Sequence, residues 1–448
     1  MPMTIRKIFN VWWPLALSWI LMGVELPMLT SVVARLPNPE VNLAAYGGVV
    51  FPLALILEAP ILMLLSASTA LSHDIKMFRK LYRFTILIGG FLTFLHALVA
   101  FTPLYDYIVQ NLMGVPEKII EPGRVGLQAM TFWAVCIGFR RLHQGVLIRF
   151  GFPQGVGIGT ILRLVVVGLL LVVFFNLKTV PGVLVATVSQ AIGVFCEALY
   201  AMFQAQPFIK RDLKNAELKT EMSWLQFARF YTPLAFTSVF FLIWQPVCSA
   251  AMSRMVQPIE SLAAWSVVSG LLQIFRSMGL AFNEVVVSVM DKPGSIKLLR
   301  KFALLIIGIS SAIYLVITSS NLLDLWFLKV AALAPPLAYL ARTSFWFGIL
   351  LPGVSVVQSY FQGMIVYGRK TRGVIEAVIL YLITTFIVLG IGIILQNMQG
   401  LYYAVLAQSA AYVVQTFWLW YRSQPIYRMV SERDAKTDAA PAQLPLAP

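Results

Sequence analysis

Between residues 11 and 422 the chain is a succession of long apolar runs separated by short polar breaks. A helix needs about 20 mostly apolar residues to cross the hydrocarbon core of a bilayer. Twelve runs meet that length, at 11–34, 43–71, 84–104, 125–149, 156–176, 181–206, 225–252, 262–290, 302–323, 336–367, 374–395 and 400–422. The first is preceded by a basic start, as in a secretory signal. It is long, contains Glu25 and lacks a small-residue cleavage site, so it is expected to be a retained first helix.

The fourth run breaks the apolar pattern. The stretch "FWAVCIGFRRLHQGVLIRFG" (132–151) brings Arg140, Arg141, His143 and Gln144 into what should be membrane. An arginine at the centre of a spanning helix costs roughly 2.5–3.5 kcal/mol on the insertion scale unless it is paired or hydrated. Arg163 and Arg276 raise the same question. Arg140, His143 and Gln144 are spaced i, i+3, i+4, one helical face, and the tenth run offers Ser355, Gln358, Ser359 and Gln362. These residues are expected to line a central cavity, with Arg140, His143, Gln144, Arg276, Gln358 and Gln362 as solute ligands. Arg163 lies near the inner end of its run and is expected to snorkel outward.

The acids within the runs are Glu25, Glu58, Glu197, Glu284 and, at an inner end, Glu376. Glu58, Glu284 with the adjacent Asn283, and Glu25 are the gating or coupling candidates, for a proton or a sodium ion.

Two halves of the chain echo each other. Residues 12–49 and 231–268 align without gaps at an offset of 219, with Pro14/Pro233, Pro27/Pro246, Arg35/Arg254 and Pro39/Pro258 identical. Further on, Gln144-Gly145 matches Gln362-Gly363 at an offset of 218. Six spans per half insert both halves the same way up, related by an axis along the membrane normal, a plan suited to alternating access. The expectation is an all-α polytopic membrane protein of twelve transmembrane helices in two parallel six-helix pseudo-repeats. It divides into lobes at 1–206 and 225–422, a cytoplasmic linker at 207–224 and a disordered polar tail at 423–448. At an offset of 219 Leu57 maps onto Arg276 and Glu58 onto Ser277, so Glu58 is expected to meet Arg276 across the axis.

Composition agrees. The 448 residues are 59% hydrophobic and 12% charged, against about 25% charged in an ordinary soluble domain. The net charge of +15 invites a nucleic-acid reading, but its distribution decides otherwise. With both termini cytoplasmic, twenty-three Lys and Arg fall inside and seven outside, as the positive-inside rule requires. The location is then the cytoplasmic (inner) membrane if the source is bacterial. The three cysteines lie in apolar runs and imply no disulfide framework. No Walker loop, zinc-protease motif, Cys/His metal spacing or nucleophile elbow occurs, so neither an enzyme nor a cofactor is expected.

Two parallel six-helix halves resemble the multidrug/oligosaccharidyl-lipid/polysaccharide exporter superfamily. Within it, "LPGVSVVQSYFQGMIVYGRKT" (351–371), "HQGVLIRF" (143–150) and "WWPLAL" (12–17) resemble the progressive ankylosis protein family. The resemblance implies a MATE-like fold and export of a small anion of the pyrophosphate, nucleotide phosphate or citrate class. It carries Pro352, Gly363, Arg369, Lys370, His143 and Gly145 across as architecture and leaves Arg140 and Arg141 unassigned. A lipid-linked phosphate or saccharide flippase, cation-coupled multidrug extrusion and a non-transporting scaffold are the alternatives.

Overall fold

The computed structural model describes residues 4–216, 222–368 and 372–439. It contains helices and no strand among these residues. In the first half the spans are α1 (Ile5–Val33), α2 (Pro39–Leu71), α3 (Ile75–Phe101), α4 (the pair Glu117–Ala129 and Trp133–Arg149), α5 (Gln154–Leu177) and α6 (Gly182–Leu213). In the second half they are α7 (Trp224–Met252), α8 (Pro258–Val289), α9 (Ser295–Ser319), α10 (the pair Pro335–Phe347 and Leu351–Tyr367, bent by 44°), α11 (Arg372–Leu395) and α12 (Gly400–Ala439). Nine helices pass a length-and-hydropathy test for crossing a membrane among the described residues, and the bent α10 makes ten. The polar α4 and the long α12 complete twelve, because they are the repeat equivalents of α10 and α6. The protein is thus a multi-pass integral membrane protein.

The repeat is carried by the backbone itself. Glu117–Ala129, Trp133–Arg149 and Gln154–Leu177 recur as Pro335–Phe347, Leu351–Tyr367 and Arg372–Leu395, each shifted by 218 at both ends. Left-handed φ values recur too, at Asn38/Gln257, Gly114/Ala332 and Lys178/Gln396. The step from 219 to 218 has a local cause. In α2 the residues Tyr46–Val50 form a turn of π-helix, whereas α8 runs unbroken. A π-turn absorbs one extra residue, so beyond it the first half is one residue long and Glu58, not Leu57, is the counterpart of Arg276.

Local chemistry sets the ends. Thr4 and Asp74 accept from Lys7 and Met77 backbone N–H, and Ser223 with Gln226 forms a reciprocal capping box at the start of α7. Proline opens α2, α8 and α10, where its missing N–H costs no helical bond. Close helix approach falls where the sequence repeats Gln-Gly. A Cβ on Gly145 would stand 2.4 Å from Ser68 on α2, and one on Gly363 would stand 2.7 Å from Val286 on α8. Two segments differ from the sequence expectation. The tail does not leave the fold at Ser423, since α12 continues through Ala439; residues 440–448 lie outside the described residues. The linker is partly helical, because α6 runs on through a π-turn to Leu213. Arg369 and Lys370 also lie outside the described residues.

The halves lock reciprocally. Toward the termini, Trp12 Nε1 donates to Met278 O at 3.0 Å, and its counterpart Tyr231 donates through its hydroxyl to Pro60 O at 2.8 Å. At the opposite face Arg35, just past the end of α1, donates to the carbonyls of Lys329 and Val330 at 2.5 and 2.9 Å. Arg254, just past the end of α7, does the same to Leu112 and Met113, both at 2.7 Å. Each arginine grips the last turn of a short helix in the other half, where carbonyls lack helical partners and the dipole favours a cation.

Candidate functional site

A cavity of about 250 Å³ lies between the halves, walled by α1, α2, α7 and α8 and closed at its sides by α6 and α12. Its polar lining comprises Glu25 on α1, Gln190 on α6, Gln245 on α7, Ser266, Ser269, Gln273 and Arg276 on α8, and Gln408 on α12. Its apolar wall includes Trp244 and Trp265, whose rings meet at right angles with centroids 5.9 Å apart. The two halves come closest at this level. A Cβ on Gly47 would lie 2.3 Å from Cβ of Ser266, its own repeat counterpart.

Arg276 is buried, at 7% exposure. Its guanidinium lies over the Tyr412 ring, 4.1 Å from the centroid, and donates to the Tyr412 hydroxyl and, at 3.4 Å, to Gln273 Oε1. Its Nε has no partner. Among the described residues no carboxylate lies within ion-pair distance of it. A buried guanidinium held only by neutral groups and an aromatic face keeps its full formal charge for whatever enters the cavity.

Glu25, also 7% exposed, reaches the cavity from the other half. Its Oε2 is 3.0 Å from Arg163 Nη2 and its Oε1 is buried without a partner. Arg163 turns its other amine to Glu197 Oε2 at 3.3 Å, and Arg140 Nη1 reaches the same oxygen at 2.7 Å. Gln144 donates to Glu197 Oε1 at 3.0 Å, with the Thr160 hydroxyl at 3.5 Å. Glu197 on α6 thus ties α4, α5 and, through Arg163, α1. The spacing i, i+4 in Arg140/Gln144 and i, i+3 in Thr160/Arg163 brings both pairs to one carboxylate. Gly193 supplies the room, since a Cβ there would stand 3.1 Å from Arg163 Cγ. Glu58 and Arg141 lie in the field of this group. Together these residues are three carboxylates and three guanidiniums, formally neutral.

Several sequence expectations change accordingly. Glu58 does not pair with Arg276: Glu58 sits in the Arg140 and Arg141 field with Oε2 unpartnered, while Arg276 is held by Tyr412. Being the repeat counterpart of Arg276 does not bring Glu58 to it, because Glu58 packs against Trp133 of α4 and off the cavity. Arg163 does not snorkel, because two carboxylates hold it inside. Arg140 and Gln144 share a face as expected, but that face meets Glu197, not the cavity. His143 stands apart, with Nδ1 2.7 Å from Phe139 O and its ring against Phe78, Tyr82 and Phe139. Gln358 is buried with Oε1 unpartnered, Gln362 is half-buried, and neither lines the cavity. Asn283 is half-buried and Glu284 is exposed near the end of α8, clear of the cavity. No cluster of metal-ligating side chains occurs among the described residues.

Sequence reasoning missed Gln190, Gln408 and Tyr412 and left Glu197 without a role. A signal was present for the first two: Gln190 and Gln408 are identical at the 218 offset. For Tyr412 there was none, since an aromatic residue in an apolar helix looks like any other.

No protein-family model matches the chain, and no curated protein matches it. Solved structures do match in fold. An inward-facing multidrug resistance MATE family transporter of the MOP superfamily superposes with a TM-score of 0.59 at 16% identity, covering 96% of this chain and 97% of the other. An outward-facing conformation of such a transporter gives 0.62 at 17%, over 94% and 97%. The lipid II flippase MurJ, in an inward closed conformation, gives 0.60 at 13%, over 93% and 90%. Identities this low establish the fold alone: the twelve helices expected from the repeat, in the MATE-like arrangement that the resemblance implied.

Proposed function

We propose that the chain is a secondary transporter that carries an anionic solute through the central cavity by alternating access of its two halves, and that it works as an exporter. The observation that carries this reading is Arg276, a buried guanidinium on the inter-half cavity with no carboxylate partner among the described residues. A cavity built to extrude cations would place an unpaired acid there instead. The anionic sign also agrees with the resemblance to the progressive ankylosis family.

Glu25 is the coupling group in this reading. It touches both the cavity and, through Arg163, the charge network that joins α1, α5, α6 and α4. Protonation or a bound sodium ion would weaken its hold on Arg163 and leave that arginine to Glu197, so occupancy of the cavity side and packing of the first half change together. A coupling of this kind needs differential contacts in two states. The reciprocal locks supply the states: opening the face away from the termini requires Arg35 and Arg254 to release their carbonyls. The surplus of basic residues supports placing the termini in the cytoplasm.

The test is solute flux in proteoliposomes with labelled pyrophosphate, ATP and citrate, comparing wild type with Arg276→Gln at matched, folded protein. Anion flux lost in Arg276→Gln, at unchanged thermal stability, supports the reading. Flux of a lipid-linked phosphate with no soluble anion moved transfers it to a flippase. Flux indifferent to Arg276 makes that arginine structural.

A further inference from the structure

The transport reading leaves the form of the solute open, and the cavity's polar atoms narrow it. Three of them are buried without partners: Arg276 Nε, a donor, and Glu25 Oε1 and Gln408 Oε1, both acceptors. A buried polar atom without a partner is costly, and its partner in a binding site is the ligand or water. The donor asks for an acceptor such as a carboxylate oxygen. The two acceptors ask for hydroxyl or amide hydrogens. Fully ionised pyrophosphate offers no donor at all.

Formal charge leads to the same place. The group of Glu25, Glu58, Glu197, Arg140, Arg141 and Arg163 sums to zero, so Arg276 is the one uncompensated cation at the cavity among the described residues. One negative charge can be met by Arg276. A second or third would share the enclosure with Glu25 and find no cation. The rest of the polar lining is uncharged: the amides of Gln190, Gln245, Gln273 and Gln408 each donate and accept, which suits hydroxyls and acetamides. Trp244 and Trp265 give a flat apolar wall for the C–H face of a ring. A volume of about 250 Å³ lies below the usual range for drug-sized ligands, enough for one ring with its substituents.

Resting on the transport reading, we infer that the solute is a polyhydroxylated monocarboxylate of the sugar-acid class, its carboxylate on Arg276 and its hydroxyls or acetamide on the glutamines and Glu25.

The experiment is exchange of labelled glucuronate by the full chain in proteoliposomes, with unlabelled gluconate, N-acetylneuraminate, citrate, pyrophosphate and glucose as competitors. The expected result is exchange inhibited at least 10-fold more strongly by the monocarboxylates than by citrate or pyrophosphate, and not by glucose. Arg276→Gln abolishes exchange. Gln408→Leu, which keeps the charge, weakens glucuronate at least 10-fold but leaves competition by lactate unaltered. Citrate or pyrophosphate carried as well as glucuronate, and still dependent on Arg276, overturns the sugar-acid inference and leaves anion transport standing. Glucose competing as well as gluconate, or no anion moving at all, overturns both. If Gln408→Leu fails to fold, Gln245→Leu on α7 serves as the second variant with the same expected split.

Discussion

The two halves share a backbone and differ in what they bury. Behind the cavity wall the first half holds Arg140, Arg141, Arg163 and Glu197; at a shift of 218 the second half has Gln358, Ser359, Tyr381 and Gln415. Gln144 is kept as Gln362. Helix bounds still coincide to the residue in α4/α10 and α5/α11. Packing, turn geometry and the glycine contacts at Gly145 and Gly363 therefore suffice for the six-helix fold, and the charges are an addition to it. Replacing a buried ion network by neutral residues is often harmless to stability, whereas breaking one is not. The second half is the neutral solution and the first half the charged one. At the counterpart positions Glu58 and Arg276 the asymmetry even reverses sign.

The largest expected effect comes from leaving the first half's charges half-paired. Glu197→Ala strips two arginines of their common carboxylate and should cost about 3–5 kcal/mol, seen as a large fall in the thermal midpoint in detergent or loss of folded protein. The double substitution Arg140→Gln with Glu197→Gln copies the second half's Gln358 and Gln415. It leaves Arg163 paired with Glu25 and should be clearly more stable than Glu197→Ala, with a coupling energy of about 0.5–3 kcal/mol between the two positions. A double substitution as damaging as the single change would show that the second half's neutral chemistry does not fit the first half's packing.

Next in size is the lock remote from the termini. Arg35→Ala and Arg254→Ala each remove hydrogen bonds from an exposed charged donor, worth about 1.5–3 kcal/mol together. Either should speed labelling of Ser269→Cys in the cavity by a reagent added at that face, in a background lacking Cys136, Cys196 and Cys248. Equal acceleration is expected if the locks are true counterparts, and a response from one alone makes the gate one-sided. The smallest effect is at the other end. Trp12→Phe and Tyr231→Phe each delete one hydrogen bond and should cost about 0.5–1.5 kcal/mol apiece in thermal unfolding; unequal losses would mark one side of the interface as the hinge.

The twelve spans were written in the sequence, because in a membrane each backbone polar group must be satisfied within its own segment, and that demand fixes the length and composition of every span locally. The repeat was legible for a related reason: prolines and glycines mark backbone positions that two copies of one fold must share. So was the prohibitive cost of unpaired arginines in the membrane. What the sequence left open was which carboxylate would meet which arginine. Arg140, Arg163 and Glu25 lie on three different helices, and only their packing around Glu197 on a fourth neutralises them. One turn of π-helix at Tyr46–Val50 shifted the pairing register by a residue, placing Glu58 opposite Arg276 in the repeat but beside Arg140 and Arg141 in space. Ion pairs act through distance across helices, a quantity no local pattern encodes, and so it was the tertiary structure alone that left Arg276 without a carboxylate partner at the cavity among the described residues.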